Sequence, residues 1–316
     1  MNHITVQGSL EGKENIGIDC SKLIMGTGDF FKLELEHAFT ILDEFVAMGG
    51  NLVDTAHGYI EAEEIIGKWL KLRNNRDKIK ILSKGAHPDD GEPGNRVTPQ
   101  AITKDLTESL ERFNTNYIDL YALHRDDESV EVGPIIEVLN EQIKAGRILA
   151  IGASNWNHQR IQAANDYATK NGLIGFTFSS TNLSLAKCNE PKWDGCVSVD
   201  VDALEWHKKS KIPLLSWSSQ AGGFFSGNFT EENPSDEEMV RVYYNPENWE
   251  RYRRAEELAE KKQVTPIQIA LAYVLNQPFQ TAAIIGPATL EEFKSSLQGA
   301  EIKLKNQEVE WLDLSV

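Results

Sequence analysis

Cysteine is scarce in this 316-residue sequence, with three residues at positions 20, 188 and 196. An odd, sparse set does not make a disulfide framework, and the set has neither the spacing nor the histidine partners of a zinc site. The sequence also has no apolar run of transmembrane length, and its polar N-terminus has no signal-peptide pattern. We therefore expect reduced thiols, no metal and no membrane partner, and a cytoplasmic location.

Basic residues are also in short supply. The chain has 32 lysines and arginines against 48 aspartates and glutamates, which gives a net charge of −16. Such a surface repels phosphate backbones, so we expect no nucleic-acid partner. It does not exclude a small anionic ligand in a local cationic pocket. With 41% hydrophobic and 25% charged residues, the composition is typical of a soluble globular protein.

Strand-like and helix-like segments alternate along the chain after an N-terminal hairpin at residues 3–6 and 16–19. Strands that are apolar on both sides belong to parallel sheets covered by helices. Eight such β/α units predict a (β/α)8 TIM barrel and a single domain over residues 1–316. A doubly wound sheet is the rival fold, but no GxGxxG follows the first strand. The predicted strands lie at 23–25, 52–54, 79–84, 118–123, 148–153, 176–179, 213–217 and 282–285.

Polar residues stand at the C-terminal ends of the predicted strands, where barrels carry their active sites. Asp54 ends the second strand with Tyr59 shortly after it, Lys84 ends the third and His124 follows the fourth. Each has an ordinary explanation when taken singly, but together they suggest chemistry. A buried lysine needs a carboxylate, and its charge would lower the pKa of a neighbouring phenol. Such a phenol can protonate a developing alkoxide, while an imidazole holds the carbonyl oxygen.

None of these groups can supply a hydride, so reduction requires a cofactor. The segment 286–289 joins the eighth strand to a helix, and the backbone N–H groups of such a junction bind phosphate. Trp217, at the end of the seventh strand, is either a ring-stacking residue or a rim-packing residue. Two long connections, 85–97 and 221–247, are rich in Gly, Pro and Asp, and loops of that length usually serve a site.

Six stretches of the chain resemble the aldo-keto reductase family, in the family's order: residues 51–70, 81–86, 119–127, 150–157, 214–227 and 283–297. The resemblance implies an NADPH- or NADH-dependent enzyme that reversibly reduces an aldehyde or ketone, including one derived from a sugar. It implies a catalytic tetrad of Asp54, Tyr59, Lys84 and His124, with Tyr59 as the general acid. Its partner is then a small-molecule carbonyl or alcohol.

The resemblance also has departures, which concern the cofactor. Ala288 and Ser296 stand where relatives that prefer NADPH often carry Arg and Asn, and a 2′-phosphate is best held by a guanidinium. Glu292, if it faces the ribose, would favour NADH, yet family habit places NADPH slightly ahead. The family's amide-binding Gln is replaced near Phe178 and Ser179. The expected cofactor contacts are Thr27, Gly28, Ser154, Asn155, Trp217, Ser218, Ser219, Gln220, Gly223, Gly286, Thr289, Glu292 and Ser296.

The substrate pocket is expected to combine polar and aromatic side chains. His57 lies inside the Asp-Thr-Ala-His-Gly-Tyr element and is interpreted as a residue of the loop or pocket wall. The polar candidates are Asp29, His57, His87, Asp89, Arg125, Asp126 and Trp156. The aromatic candidates are Phe30, Phe31, Phe224 and Phe225.

Two other functions are compatible with the sequence. The first is a cofactor-sensing regulatory or binding protein on the same barrel, because fold alone does not decide function. The second is a hydrolase that uses a carboxylate pair, Asp89/Asp90 or Asp126/Asp127, although adjacent acids in loops are usually solvated. The oligomeric state is open.

Overall fold

The structure is a computed structural model that describes residues 1–10, 13–88 and 96–316. Eight parallel strands form a closed barrel in which the last strand pairs with both the first and the seventh: Ala283 lies opposite Leu23 on one side and Ser216 on the other. The predicted (β/α)8 barrel is thus confirmed. Its strands are β3 (Leu23–Gly26), β4 (Leu52–Asp54), β5 (Lys80–Gly85), β6 (Ile118–Leu123), β7 (Ile148–Ser154), β8 (Phe178–Ser180), β9 (Leu214–Ser216) and β10 (Thr281–Ile285).

Every barrel strand is followed by at least one helix, and β9 is followed by three. Helix starts follow local sequence signals: the Thr98 hydroxyl accepts the Ala101 N–H at 3.2 Å, and Pro99 takes the first helical position. The helices are α1 (Leu35–Ala47), α2 (Ile60–Arg73), α3 (Pro99–Phe113), α4 (Val132–Lys144), α5 (His158–Lys170), α6 (Val201–Ser210), α7 (Glu237–Tyr243), α8 (Pro246–Lys262), α9 (Pro266–Leu275), α10 (Leu290–Glu301) and α11 (Asn306–Leu312). Among the helices in the described ranges, none is long and apolar enough to cross a bilayer.

The N-terminal hairpin is present and longer than predicted. It consists of β1 (His3–Leu10) and β2 (Lys13–Ser21), which pair antiparallel with Val6 opposite Ile18. The apolar side chains of one hairpin face are buried in the same cluster as the barrel interior. Gly8 lies so close to the start of β7 that an added Cβ would stand 2.8 Å from the Leu149 carbonyl oxygen. The hairpin therefore closes the N-terminal end of the barrel.

Strand alternation decides which side chains meet inside the barrel. Leu52, Leu82 and Leu120 belong to the buried interior cluster. Successive strand side chains point to opposite faces, so residues two or four positions further along also point inward. This places Asp54, Lys84 and His124 at the C-terminal mouth, above the apolar filling and opposite the hairpin.

Candidate active site

Lys84 and Asp54 form a buried ion pair at the mouth of the barrel. The Lys84 ammonium donates a hydrogen bond to the Asp54 carboxylate and another, of 3.0 Å, to the Thr55 carbonyl oxygen. Burial raises the pKa of the Asp54 carboxyl, and the charge and hydrogen bond of Lys84 oppose that rise. The expected pairing of these two residues is present, so much of the positive charge of Lys84 is balanced by its partner.

Tyr59 lies between β4 and α2, and its ring packs against that of His124. The two ring centroids are 5.7 Å apart and the planes are nearly perpendicular, at 82°. Burial, followed by the negative charge of Asp54, raises the pKa of Tyr59 to about 12. This corrects the expectation that Lys84 lowers the pKa of the phenol. The physical reason is that Lys84 is paired with Asp54, so desolvation of the phenolate dominates.

His124 is a neutral imidazole at ordinary pH. Burial, together with the charges of Lys84 and Arg125, holds its pKa well below the usual histidine range. Its Nδ1 is buried and has no hydrogen-bond partner among the described residues. The ring of His87 lies 4.7 Å away, which places His87 beside the site. A neutral imidazole has one N–H, so His124 can donate a single hydrogen bond to a carbonyl oxygen.

Two buried polar atoms across the mouth have no partner within the described ranges, namely the Ser180 hydroxyl oxygen and the Trp217 Nε1. Ser180 lies two residues after the interior Phe178 on β8, so it points into the barrel. Buried polar groups are normally hydrogen-bonded, and these two would be satisfied by a polar ligand. They fit a nicotinamide amide placed between β8 and β9. Ser180 was missed in the sequence, although strand alternation from Phe178 would have identified it.

The loop after β9 has a tightly turned, largely left-handed backbone. Ser218, Ala221, Gly222 and Gly223 all have positive φ, from 46° to 89°. Two of the backbone N–H groups are used within the loop: Ala221 donates to the Ser218 carbonyl oxygen at 2.8 Å and Gly223 to the Gln220 carbonyl oxygen at 3.0 Å. A pyrophosphate contact of this loop therefore stays a prediction. Ser219 has a different role, because its buried hydroxyl donates to the Ile284 carbonyl oxygen at 2.9 Å and ties the loop to β10. Gln220 is half-buried in the same loop.

The start of α10 carries an acidic side chain over its N-terminus. The Thr289 hydroxyl caps the helix by accepting the Glu292 N–H at 3.2 Å, and the Glu292 carboxylate accepts the Ala288 N–H at 2.7 Å. Gly286, just before this turn, borders open space. Ser296 is buried and donates to the Glu292 carbonyl oxygen at 3.0 Å, and its role as a cofactor contact stays a prediction.

Two further expected cofactor contacts are engaged within the protein. Thr27 is fully buried, and its hydroxyl donates to the Asp54 carbonyl oxygen at 2.9 Å. The Asn155 amide donates to the His124 carbonyl oxygen and to the Ser154 hydroxyl, and its carbonyl accepts the Val197 N–H. These bonds tie Thr27 to the backbone of Asp54 and Asn155 to the backbone of His124, and the cofactor contacts expected of both residues stay predictions.

Three expected pocket residues point elsewhere. Phe30 is buried in the core at 2% exposure. Trp156 is also buried, where it packs edge-on against Phe176 at 5.2 Å and donates to a backbone carbonyl. His57 faces α3, because its Nε2 lies 2.7 Å from Glu108. Loop side chains have no periodicity that would have revealed these directions.

Expected pocket residues in the other connections are buried or paired within the protein. Phe224 and Phe225 are fully buried, and Phe225 stacks on Tyr252 at 5.5 Å, so neither is available to a substrate. Asp126 pairs with Arg160 at 3.2 Å, which gives it a structural partner. The expected pocket residue Asp89 and its neighbour Asp90 lie outside the described residues.

Four expected residues do lie at the mouth: Gly28, Asp29, His87 and Arg125. A Cβ added at Gly28 would lie 3.6 Å from the Tyr59 ring. Asp29 is exposed and pairs with Lys32 at 2.6 Å. The structure adds Trp193, which was not identified in the sequence: its half-exposed indole lies 5.8 Å from that of Trp217. No cluster of metal-ligating side chains occurs in the part of the chain that is described.

Known proteins are similar to this chain over most of its length. Residues 22–315 match the model of the Aldo/keto reductase family. The chain is similar to the oxidoreductase YrpG of Bacillus subtilis (strain 168), with 26% identity over 304 residues, 92% of this chain and 90% of the relative. It is 27% identical to norsolorinic acid reductase B of Dothistroma septosporum over 299 residues, 88% of this chain and 71% of the relative. It is 25% identical to the aldo-keto reductase str7 of Strobilurus tenacellus over 282 residues, 87% of this chain and 79% of the relative.

Proposed function

Since this chain belongs to the aldo/keto reductase family, we propose that it reversibly reduces an aldehyde or ketone with a nicotinamide cofactor and uses Tyr59 as the general acid. The observation that carries the proposal is the convergence of Tyr59, His124 and the Lys84–Asp54 pair at one end of the barrel. The names of the relatives, which describe an oxidoreductase and two reductases, support the same reaction class.

The cofactor, when bound, supplies the hydride that none of these side chains can provide. The residues of the chain would manage the oxygen end of the carbonyl. His124 donates a hydrogen bond that orients the carbonyl, and the Tyr59 hydroxyl gives its proton to the oxygen as negative charge develops there. Tyr59 is left as a phenolate and takes a proton back from solvent. The Lys84–Asp54 pair, with the bond from Lys84 to the Thr55 carbonyl oxygen, would fix the start of the loop that carries Tyr59.

For the cofactor we propose a preference for NADH over NADPH. Relatives with the opposite preference often carry Arg at the position of Ala288. In this chain the Ala288 N–H is instead bonded to the Glu292 carboxylate. A 2′-phosphate near this turn would meet a negative charge and would lose a backbone donor. The free 2′-hydroxyl of NADH can donate a hydrogen bond to the same carboxylate.

The structure weakens the argument for a sugar-derived substrate. Two of the polar residues expected to bind it, His57 and Trp156, do not face the mouth. The proposal therefore stays at an aldehyde or ketone.

The deciding experiment is turnover of NADH and NADPH with a panel of aldehydes and ketones by the wild-type protein and the Tyr59→Phe variant. We expect that variant to lose most turnover and to keep cofactor affinity, measured by quenching of tryptophan fluorescence. Tyr117→Phe is the matched control, since Tyr117 lies just before β6, away from the mouth. Unchanged turnover by Tyr59→Phe would disprove the role of Tyr59. Cofactor binding without turnover in the wild type would favour a cofactor-sensing binding protein.

A further inference from the structure

Arg125 is a buried cation that has no carboxylate partner among the described residues. Its residue exposure is 6%. Its Nε–H donates to the Asp194 carbonyl oxygen at 3.1 Å, and its Nη1 donates to the His124 carbonyl oxygen at 2.9 Å. Within the described ranges it forms no salt bridge, although its own segment is rich in acids. Transferring a charge from water to a protein interior is costly, so an unpaired buried cation suggests a missing anion.

Several other arginines with little exposed surface are paired with carboxylates, and of the two buried arginines in the described ranges, Arg125 and Arg251, only Arg125 lacks such a partner. The acidic residues that follow Arg125 in sequence serve other groups: Asp126 pairs with Arg160, and Asp127 accepts from Ser129. The neutralised pairs are Arg76–Asp119, Arg96–Asp105, Arg112–Glu63, Arg160–Asp126 and Arg251–Glu247.

The unused part of the guanidinium is its terminal edge. A guanidinium has five N–H donors, and the Asp194 and His124 carbonyl oxygens take two of them. One Nη1 donor and both Nη2 donors are left, and together they form the edge that binds a carboxylate in a bidentate way. The loop that carries Asp194 fits closely on the aliphatic stem of Arg125, because a Cβ at Gly195 would lie 3.1 Å from its Cδ.

Arg125 belongs to the wall of the proposed active site. It follows His124 in sequence, and its charge lowers the pKa of Tyr59 against the larger effects of burial and Asp54. It is bonded to Asp194, the residue after Trp193, whose indole lies over Trp217. The Arg125 guanidinium is thus near Tyr59 and His124 and beside an aromatic rim formed by Trp193 and Trp217.

That rim is apolar and exposed. Trp193, which lies beside Trp217, is 50% exposed. Exposed apolar side chains around a site suggest that it receives an apolar group. A planar apolar body that rests on Trp193 would leave one polar end for Arg125.

We propose that Arg125 binds a carboxylate on the substrate, so that this enzyme acts on apolar, aromatic-type aldehydes or ketones that carry a carboxylate group. This inference rests on the proposed reductase function and names the substrate class for the same site.

The test compares 4-carboxybenzaldehyde and 3-carboxybenzaldehyde with their neutral methyl esters as substrates. We expect kcat/KM of the wild type to be about tenfold or more higher for at least one acid than for its ester. Removing a charged partner from a hydrogen-bonded ion pair costs enough that Arg125→Gln should lower kcat/KM of that acid on the order of 10²-fold. The ester should change less than about threefold, because it does not depend on the ion pair.

Two further variants control for structural damage. Arg125→Lys keeps the charge but not the bidentate edge, so it should retain part of the preference for the acid. Arg147→Gln is the matched control, since Arg147 precedes β7 at the hairpin end of the barrel and its guanidinium donates to the side chains of Gln142 and Thr107. It should leave the acid-to-ester ratio unchanged.

Equal loss of acid and ester turnover in Arg125→Gln, or a wild type that does not prefer any acid, would overturn the proposal. A preference for D-glyceraldehyde 3-phosphate over D-glyceraldehyde that depends on Arg125, without any preference for the carboxylates, would overturn the carboxylate assignment. Tyr59-dependent ester turnover without acid preference would remove the anion site and leave the reductase function intact. Conversely, benzoate binding by calorimetry that requires Arg125, in a protein that reduces none of these aldehydes, would reject the reductase function alone.

Discussion

The pKa of Tyr59 predicts how the two directions of the reaction respond to pH. With Tyr59 as the general acid that we propose, reduction needs the neutral phenol, and oxidation of the alcohol needs the phenolate as a base. Burial and the charge of Asp54 raise the pKa of Tyr59 to about 12. Reduction should therefore stay constant up to high pH, whereas oxidation should rise steadily with pH.

The size of the effect follows from the ionised fraction. With a pKa of about 12, roughly 10⁻⁵ of the phenol is ionised at pH 7 and roughly 10⁻² at pH 10. Oxidation should thus increase about tenfold per pH unit, close to 10³-fold over this range. If Lys84 instead lowered the pKa to about 8, oxidation would level off above about pH 9 and reduction would fall about tenfold per unit beyond pH 8.

The assay is kcat/KM in both directions between about pH 6 and pH 10, with circular dichroism to show that the fold is intact at each pH. The Tyr59→Phe variant should remove the pH-dependent rise of oxidation. His124 should add no acidic limb near pH 6.5, since its pKa lies well below that of free histidine. A basic limb in reduction with a midpoint near pH 8 would refute the conclusion that burial outweighs the charge of Lys84.

Three further predictions concern the cofactor and stability. Glu292→Arg should raise affinity for NADPH relative to NADH by about tenfold or more, because a guanidinium that attracts the 2′-phosphate replaces a carboxylate that repels it. Fluorescence titration measures the two affinities, and Glu291→Arg is the control. An unchanged ratio of affinities would count against the NADH proposal. Gly67→Ala should lower the free energy of unfolding in urea by about 2–4 kcal/mol, because the added Cβ would lie 2.1 Å from the Arg112 carbonyl oxygen. Gly58→Ala is the control, since its Cβ would meet nothing within 4 Å. Equal stability of the two variants would contradict this packing. Burial lowers the pKa of His207 to about 4 in the folded protein. The stability that the neutral His207 contributes is therefore present above about pH 6.5 and is lost as pH falls toward 4, by roughly 3 kcal/mol at full protonation. The free energy of unfolding, measured across that window, should depend less on pH in His207→Gln, and an unchanged pH slope would contradict the lowered pKa.

The fold could be predicted from the sequence because its determinants are local and repeated. Short apolar strands alternate with amphipathic helices, and caps such as Thr98 mark where helices begin. The polar residues at the ends of the predicted strands extended the prediction to the site itself, and strand alternation in the structure explains why they meet. Asp54, Lys84 and His124 each lie an even number of positions beyond an interior leucine, so they had to converge at one mouth. Their catalytic roles are still predictions.

Loop side chains could not be predicted in the same way. His57 lies two residues before Tyr59, yet it turns to Glu108 on α3, and Trp156 turns into the core. Neither direction follows from a periodicity, because each depends on which helix packs beside the loop. Trp193 was overlooked for the same reason, since its proximity to Trp217 joins segments that are far apart in sequence.

The sequence by itself determined the barrel, the order of its elements and which polar residues end its strands, because these depend on hydrophobic pattern and strand parity. Only the tertiary structure decided the electrostatics of the site. Lys84 is balanced by Asp54, so the pKa of Tyr59 rises rather than falls. Arg125 precedes two aspartates in the sequence, yet it has no salt bridge to either, because Asp126 pairs with Arg160. Charge balance depends on distance and burial in three dimensions, and neither is encoded in the spacing of residues along the chain.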